Sequence, residues 1–298
     1  MNEYSLATFQ IDGHEKLIIR IADDIYALDQ IAGTAFGDRI PLTLQDMLQN
    51  WDENKERLAA IAKSPSSDGT SLDFQSMTCC PPVGQPTNLI CIGTNYQDHL
   101  DEMKMATRPE FPYGFLRPRG CLAAHGETIP LPEGPKFIDW EAELGIVVGK
   151  KVIAGNNENA EDAIAGYTII NDVSARDWII DRPAVGIDWV MQKAWDKFQP
   201  TGPWFVPREQ IEDVQNLHIR LTVNGDVKQD SNTGQMIFGV AEIMHHLTGI
   251  MTLEPGDIIA TGTPAGVGFG QDPKQRIKSG DVVAVEIEGL GVLENRFV

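Results

Sequence analysis

Positive charge is scarce in this sequence: 24 lysines and arginines stand against 43 aspartates and glutamates, a formal net charge of −19. A field of that sign repels phosphate backbones and anionic bilayers, which excludes nucleic acid and membrane surfaces as partners. Small anionic substrates are repelled as well, so an acidic substrate needs locally placed Arg or Lys and a metal ion. Long hydrophobic runs are also missing, and no apolar stretch approaches membrane-span length. The first residues, MNEYSLATFQIDG, carry neither a basic cluster nor an apolar targeting core, so the expected location is the cytoplasm. Cysteine is limited to Cys79, Cys80, Cys91 and Cys121, with no CxxC spacing. Two adjacent thiols hardly ever close a mutual disulfide or clamp zinc, so reduced cysteines are expected. The nucleophile elbow G-x-S-x-G is absent. The glycine-rich stretch IIATGTPAGVGFG (Gly262, Gly266, Gly268, Gly270) lacks the G-K-[ST] ending of a phosphate loop and does not fit G-x-G-x-x-G. It suits a loop that brings backbone N–H groups and the Thr263 hydroxyl close to a ligand.

What is present suffices for a folded globular protein. The 298 residues are 42% apolar, enough for one large domain or two unequal ones. The opening YSLATFQ, a turn at Asp12-Gly13 and KLIIRIADDIYALD predict a hairpin or meander. Thr43 stands three residues before Asp46 as a box-like cap. Leu44, Met47, Leu48 and Trp51, then Leu58 and Ile61, follow at helical spacing. The Ser-, Gly- and Asp-rich residues 63–73 read as a linker, giving a small N-terminal α+β domain over 1–75 and a second domain over 76–298. Beyond it, short β-like runs dominate: Asn88–Ile92, Glu143–Val148, Tyr167–Ile170, His218–Val223, Asp257–Thr261 and Val282–Ile287. The clearest helix has Val240, Ile243, Met244 and Leu247 on one face, with His245 and His246 on its polar side in a structural role. The fold class is therefore β-rich α+β.

Three acids stand out. Glu141 and Glu143 flank Ala142 at the start of an apolar run, and alternation puts both carboxylates on one side. Adjacent buried carboxylates repel each other and are costly to desolvate unless a cation joins them. Asp172 closes the apolar run from Tyr167 and offers a third oxygen. Three carboxylates without Cys or His favour Mg²⁺ or Mn²⁺ over zinc, although an E-x-E on a strand more often faces water. His99 and Glu102 lie three apart on one helical turn; a carboxylate beside an imidazole raises its basicity and fixes its orientation. A surface His–Glu pair is the plain alternative. Arg176 is suited to a substrate carboxylate or to pairing with an acid, and Lys193 to a developing enolate or to open solvent.

Six segments in order, ICIGTNYQDHLDEM, DWEAELGIVVGK, GYTIINDVSARDW, KAWDKFQPTGPW, LTVNGDVKQDSNTGQMIF and LEPGDIIATGTPAGVG, resemble the fumarylacetoacetate hydrolase family over roughly residues 83–298. The resemblance implies a mixed β-roll catalytic domain, a homodimer, and one Mg²⁺ or Mn²⁺ per subunit held by Glu141, Glu143 and Asp172. It implies that His99 and Glu102 activate water, that Lys193 stabilises an enolate, and that Arg176, Thr263, Arg117 and Tyr96 meet the substrate. The first expected activity is hydrolysis of a C–C bond in a 1,3-diketo acid such as an acylpyruvate or a diketo-deoxy sugar acid. The alternatives are decarboxylation of oxaloacetate or a related β-keto acid, and hydratase or isomerase chemistry on a 2-oxo acid. A non-catalytic keto-acid binder is the remote case. The chain departs from the usual family pattern at Ile179, within KAWDK, and at Arg117, Gly120 and His125 in FLRPRGCLAAHG, positions that bear on specificity.

Overall fold

The computed structural model describes residues 3–37, 39–65, 69–105, 107–180, 184 and 186–298. Near its N-terminus, strands Tyr4–Ile11 and His14–Ile21 pair antiparallel through a tight turn in which Asp12 and Gly13 both take positive φ (51° and 78°). That is the twist a two-residue hairpin requires. Strands Asp24–Ala27 and Thr78–Cys79 flank the pair and complete a four-stranded sheet. The apolar spacing from Leu44 to Ile61 becomes two helices, Leu44–Leu48 and Trp51–Lys63, divided at Asn50. Thr43 and Asp46 form the expected capping box. Part of the predicted linker, residues 66–68, lies outside the described residues.

The larger part is built on two sheets. The first has six strands in the order Val206–Pro207, Ile164–Asn171, Ala142–Val148, Ile258–Ala260, Leu89–Gly93 and Tyr113–Arg117. Only the pairing of Ile258–Ala260 with Leu89–Gly93 is parallel in this sheet. The second has five strands, Asp226–Asn232, His218–Val223, Val282–Ile287, Gly291–Phe297 and Thr128–Ile129. One core joins them, with Leu144, Ile146, Ile169, Leu221, Val285 and Leu293 all buried. The opposite face of the six-stranded sheet, including Val147, Ala165 and Ile258, packs against Leu6, Leu44, Trp51 and Leu58 of the N-terminal part. Burial on both faces explains why its central strands read as continuous apolar runs rather than alternating ones. The predicted helix is Val240–Ile250; it buries Val240, Ile243, Met244 and Leu247, and Glu242 accepts from the Gly239 N–H at 2.8 Å.

Strand direction gathers the chemistry at one end of the six-stranded sheet. Ala142 pairs with Asn171 antiparallel, so the start of one strand meets the end of the other. The chain leaving Ile258–Ala260 and the chain leaving Leu89–Gly93 emerge at that same end, because the first runs antiparallel to Ala142–Val148 and the second runs parallel to the first. Residues 94–96, 139–143, 172 and 261–263 are thereby brought together.

Candidate metal centre

Asp172 follows strand Ile164–Asn171, and its backbone N–H donates to the Glu141 carbonyl at 2.9 Å. Glu141 thus sits just before its strand, which runs Ala142–Val148. The outcome for the carboxylates is the predicted one. Single oxygens of Glu141, Glu143 and Asp172 lie within 4.8 Å of one another, and all three residues are buried. It is the only cluster of three potential ligand side chains found among the described residues.

Three cations surround the trio. Lys193 Nζ lies 2.8 Å from Glu141 Oε2 and 2.5 Å from Asp172 Oδ2. The sequence alternative of a solvated surface lysine fails here, since Lys193 is 3% exposed. Arg176 reaches Glu141 Oε1 at 2.5 Å through its terminal nitrogen and donates from Nε to Asp139 Oδ2 at 2.9 Å. Arg117, at the end of strand Tyr113–Arg117, pairs with Asp172 Oδ1 and donates to the Phe198 carbonyl at 3.0 Å. Among the described residues no Lys or Arg pairs directly with Glu143, which accepts from the Gly262 N–H at 2.8 Å.

Electrostatics separates the two glutamates. Burial pushes both upward, but Lys193 and Arg176 pull Glu141 down to about 2. Glu143 is held well above the usual carboxylate range by burial and by the neighbouring Asp172 and Glu141 carboxylates. Burial also raises the Tyr96 phenol, with Glu143 adding to the effect. The Tyr96 side chain is fully buried and its hydroxyl has no hydrogen-bond partner among the described residues, a costly state that a bound ligand or water relieves. Lys193 bridges Glu141 and Asp172 as a shared positive charge. It compensates two of the three carboxylates and leaves Glu143 short. An oxygen-only, undercompensated trio of this kind fits a hard divalent cation.

The proton-transfer candidates stand beside it. Helix Gln97–Glu102 follows Tyr96, and His99 Nδ1 lies 3.2 Å from Glu102 Oε2. Both side chains are mostly buried, at 12% and 16% exposure, so the plain surface-pair alternative does not hold. Glu102 Oε1 accepts from the Gly266 N–H at 2.9 Å. The glycine-rich loop therefore does supply backbone N–H groups, here to a catalytic candidate. A Cβ at Gly270 would lie 2.4 Å from Glu102 Cδ, which explains the glycine there. The same glycine-rich loop meets Glu143 through the Gly262 N–H and Glu102 through the Gly266 N–H, so dyad and trio share one site. Thr263 is buried with its hydroxyl accepting from Gln229 Nε2 at 2.8 Å.

Sequence reasoning missed three supporting residues. Gln229 Oε1 accepts from the Ala142 N–H at 2.8 Å, joining the trio's strand to the Thr263 loop. Asn95 ties that end together, donating to the Thr261 carbonyl at 2.8 Å and accepting from the Phe238 N–H at 2.9 Å. Asp139 is buried two residues before Glu141. The D-x-E-x-E spacing was a signal for it that the apolar strand boundary obscured.

Comparison with known proteins agrees with this picture. The family model described as fumarylacetoacetate (FAA) hydrolase C-terminal matches residues 88–298. The chain is 38% identical to a mitochondrial oxaloacetate tautomerase of Xenopus laevis, covering 89% of this chain and 81% of that protein. It is 36% identical to a mitochondrial oxaloacetate tautomerase of Homo sapiens, covering 89% and 82%. Among solved structures it resembles a fumarylacetoacetate hydrolase from Exiguobacterium antarcticum at TM-score 0.80 and 30% identity, over 99% of both chains. It also resembles maleylpyruvate hydrolase from Sphingobium sp. SYK-6, solved with manganese(II) and pyruvate, at TM-score 0.77 and 25% identity over 99% and 98%.

Proposed function

The chain belongs to the fumarylacetoacetate hydrolase family, and from that premise we propose that it is a divalent-cation-dependent enzyme whose main reaction is keto–enol proton transfer on oxaloacetate or a close analogue. The observation that carries the reading is a carboxylate-oriented histidine held beside a buried oxygen-only trio. Its likeness to oxaloacetate tautomerases selects the substrate class. This reorders the expectations: 2-oxo acid isomerisation moves ahead of C–C hydrolysis.

Glu141, Glu143 and Asp172 would hold Mg²⁺ or Mn²⁺, which when bound supplies Lewis-acid polarisation of adjacent substrate oxygens. The remaining work belongs to side chains. With its Nδ1 proton donated to Glu102, His99 keeps Nε2 free to take a proton from C3 and return one to the 2-oxygen. Glu102, fixed by the Gly266 N–H, keeps that tautomer and orientation. Lys193 and Arg176 balance charge that develops on oxygen, and Arg117 keeps Asp172 in place. Tyr96 and Thr263 are assigned to the substrate.

Hydrolysis of a 1,3-diketo acid is the second reading, favoured by the maleylpyruvate hydrolase likeness; there His99 would deprotonate water instead. The test follows the ultraviolet signals of enol oxaloacetate and of an acylpyruvate with chelator-stripped protein, before and after Mg²⁺ or Mn²⁺. Metal-dependent acceleration of enol decay without pyruvate release supports the tautomerase. Acylpyruvate cleavage with no effect on the enol signal supports the hydrolase, and pyruvate and CO₂ from oxaloacetate support the decarboxylase.

We assign residues 1–75 a supporting domain role and 76–298 the catalytic one, and we expect a homodimer. No described helix is long and apolar enough to cross a membrane. All four cysteines are free thiols, which fits a reducing compartment, either the cytoplasm or the mitochondrial location that the relatives' names give for those proteins.

A further inference from the structure

Asp139 takes no part in the chemistry above, yet it is fully buried and its two oxygens accept four N–H donors. Oδ1 accepts from Trp140 N at 2.9 Å and Gly268 N at 2.7 Å. Oδ2 accepts from Phe269 N at 3.0 Å and Arg176 Nε at 2.9 Å. These donors come from three separate parts of the chain. One is the segment that leads into Glu141. Another is Arg176, which lies on Glu141 Oε1. The third is the glycine-rich loop, whose Gly266 N–H holds Glu102 and whose Gly270 lies against the same carboxylate. Gly268 leaves no slack at this junction: a Cβ there would lie 2.7 Å from Asp139 Oδ1 and 2.1 Å from the Gln275 carbonyl.

We propose that Asp139 is a positioning residue that locks the cation-holding Glu141 and the His99–Glu102 dyad into one geometry, through Arg176 on one side and the glycine-rich loop on the other. The proposal rests on the functional reading above, since it takes Glu141 as a cation ligand and Glu102 as the orienter of His99. Its physical basis is that charge-assisted hydrogen bonds are short and directional. A carboxylate that accepts from all sides fixes its donors relative to one another. Asparagine cannot replace it. Each Asp139 oxygen accepts from one loop N–H, so whichever way the amide is turned its NH₂ faces a loop donor.

The test measures Mn²⁺ affinity by calorimetry and kcat at saturating Mn²⁺ for the wild type, D139N, G268A and the double variant. Loss of a group that orients metal ligands typically costs about 10–100-fold in affinity or activity. D139N is therefore expected to weaken Mn²⁺ binding by about tenfold or more and to lower kcat as well. G268A, which touches none of the three carboxylates, is expected to weaken Mn²⁺ binding by displacing Asp139. The double variant is expected to bind Mn²⁺ no more weakly than D139N alone, since coupled sites are non-additive. A purely structural role would lower the unfolding temperature without moving Mn²⁺ affinity, and that result overturns the proposal. So does Mn²⁺ affinity in G268A within twofold of wild type, which decides the matter even if D139N does not fold. A wild type that fails to bind Mn²⁺ refutes the metal-site reading itself, a different outcome.

Discussion

Replacing Glu143 by glutamine gives opposite results with and without metal, and the structure sets the size of each. Glu143 is 2% exposed, and its nearest charged neighbours include two carboxylates within 4.8 Å. At an effective dielectric near 20, two unit charges at that separation repel by about 3.5 kcal/mol, and Lys193 offsets part of this. Glutamine keeps the shape and an oxygen for the Gly262 N–H while removing the charge. Metal-free E143Q should therefore be more stable than metal-free wild type at neutral pH by about 1–2 kcal/mol, or roughly 2–3 °C in unfolding temperature for a chain of 298 residues. The sign with pH follows from the raised folded pKa. The folded protein holds the Glu143 proton more tightly than the unfolded chain, whose carboxyl titrates near about 4.3. Wild-type stability relative to E143Q is thus greatest at low pH. It falls as pH rises from the unfolded value through the raised folded one, with a limiting slope of about 1.4 kcal/mol per pH unit. With metal the ranking reverses. Wild type should gain about 2.7 kcal/mol at a Mn²⁺ concentration about 100 times its Kd, and E143Q should gain little and lose activity. Thermal unfolding from pH 5 to 8, with and without Mn²⁺, reads all of this. An E143Q protein that is less stable without metal, or one that keeps the full Mn²⁺ gain, would refute the reasoning.

Two further outcomes concern the dyad and the N-terminal part. H99A should bind Mn²⁺ as wild type does but lose about 10²–10⁴-fold in kcat for enol decay, the range for a lost general base; unchanged turnover removes His99 from the mechanism. W51A should destabilise the protein by about 3–5 kcal/mol, because Trp51 is buried and meets Phe205 edge-on at 5.3 Å between centroids. It should still unfold in one transition, since the N-terminal part shares a core with Val147 and Ile258; two separated calorimetric peaks would contradict that shared core.

Much of the site was legible from residue type and spacing. The oxygen-only trio could be read because carboxylates at the ends of apolar runs are anomalous and demand a cation, and the His99–Glu102 pair because its spacing is one helical turn. The fate of Lys193 and Arg117 was not legible. Each is an ordinary cation in sequence, and only folding buries them against Glu141 and Asp172. Asp139 was overlooked for a similar reason: its donors come from residues 140, 176, 268 and 269, and no local pattern records a junction that distant.

By itself, the sequence determined what depends on local chemistry and periodicity: the hairpin at Asp12-Gly13, the capped helix at Thr43, the apolar strands and helix of the larger part, and the acids that ask for a cation. The tertiary structure decided what depends on strand direction and on long-range contact. Antiparallel pairing of Ala142 with Asn171 brings Asp172 to Glu141. The parallel pairing of Ile258–Ala260 with Leu89–Gly93 delivers the glycine-rich loop and the dyad to the same end. Burial there raises both glutamates, but Lys193 and Arg176 draw Glu141 down while the Asp172 and Glu141 carboxylates push Glu143 further up.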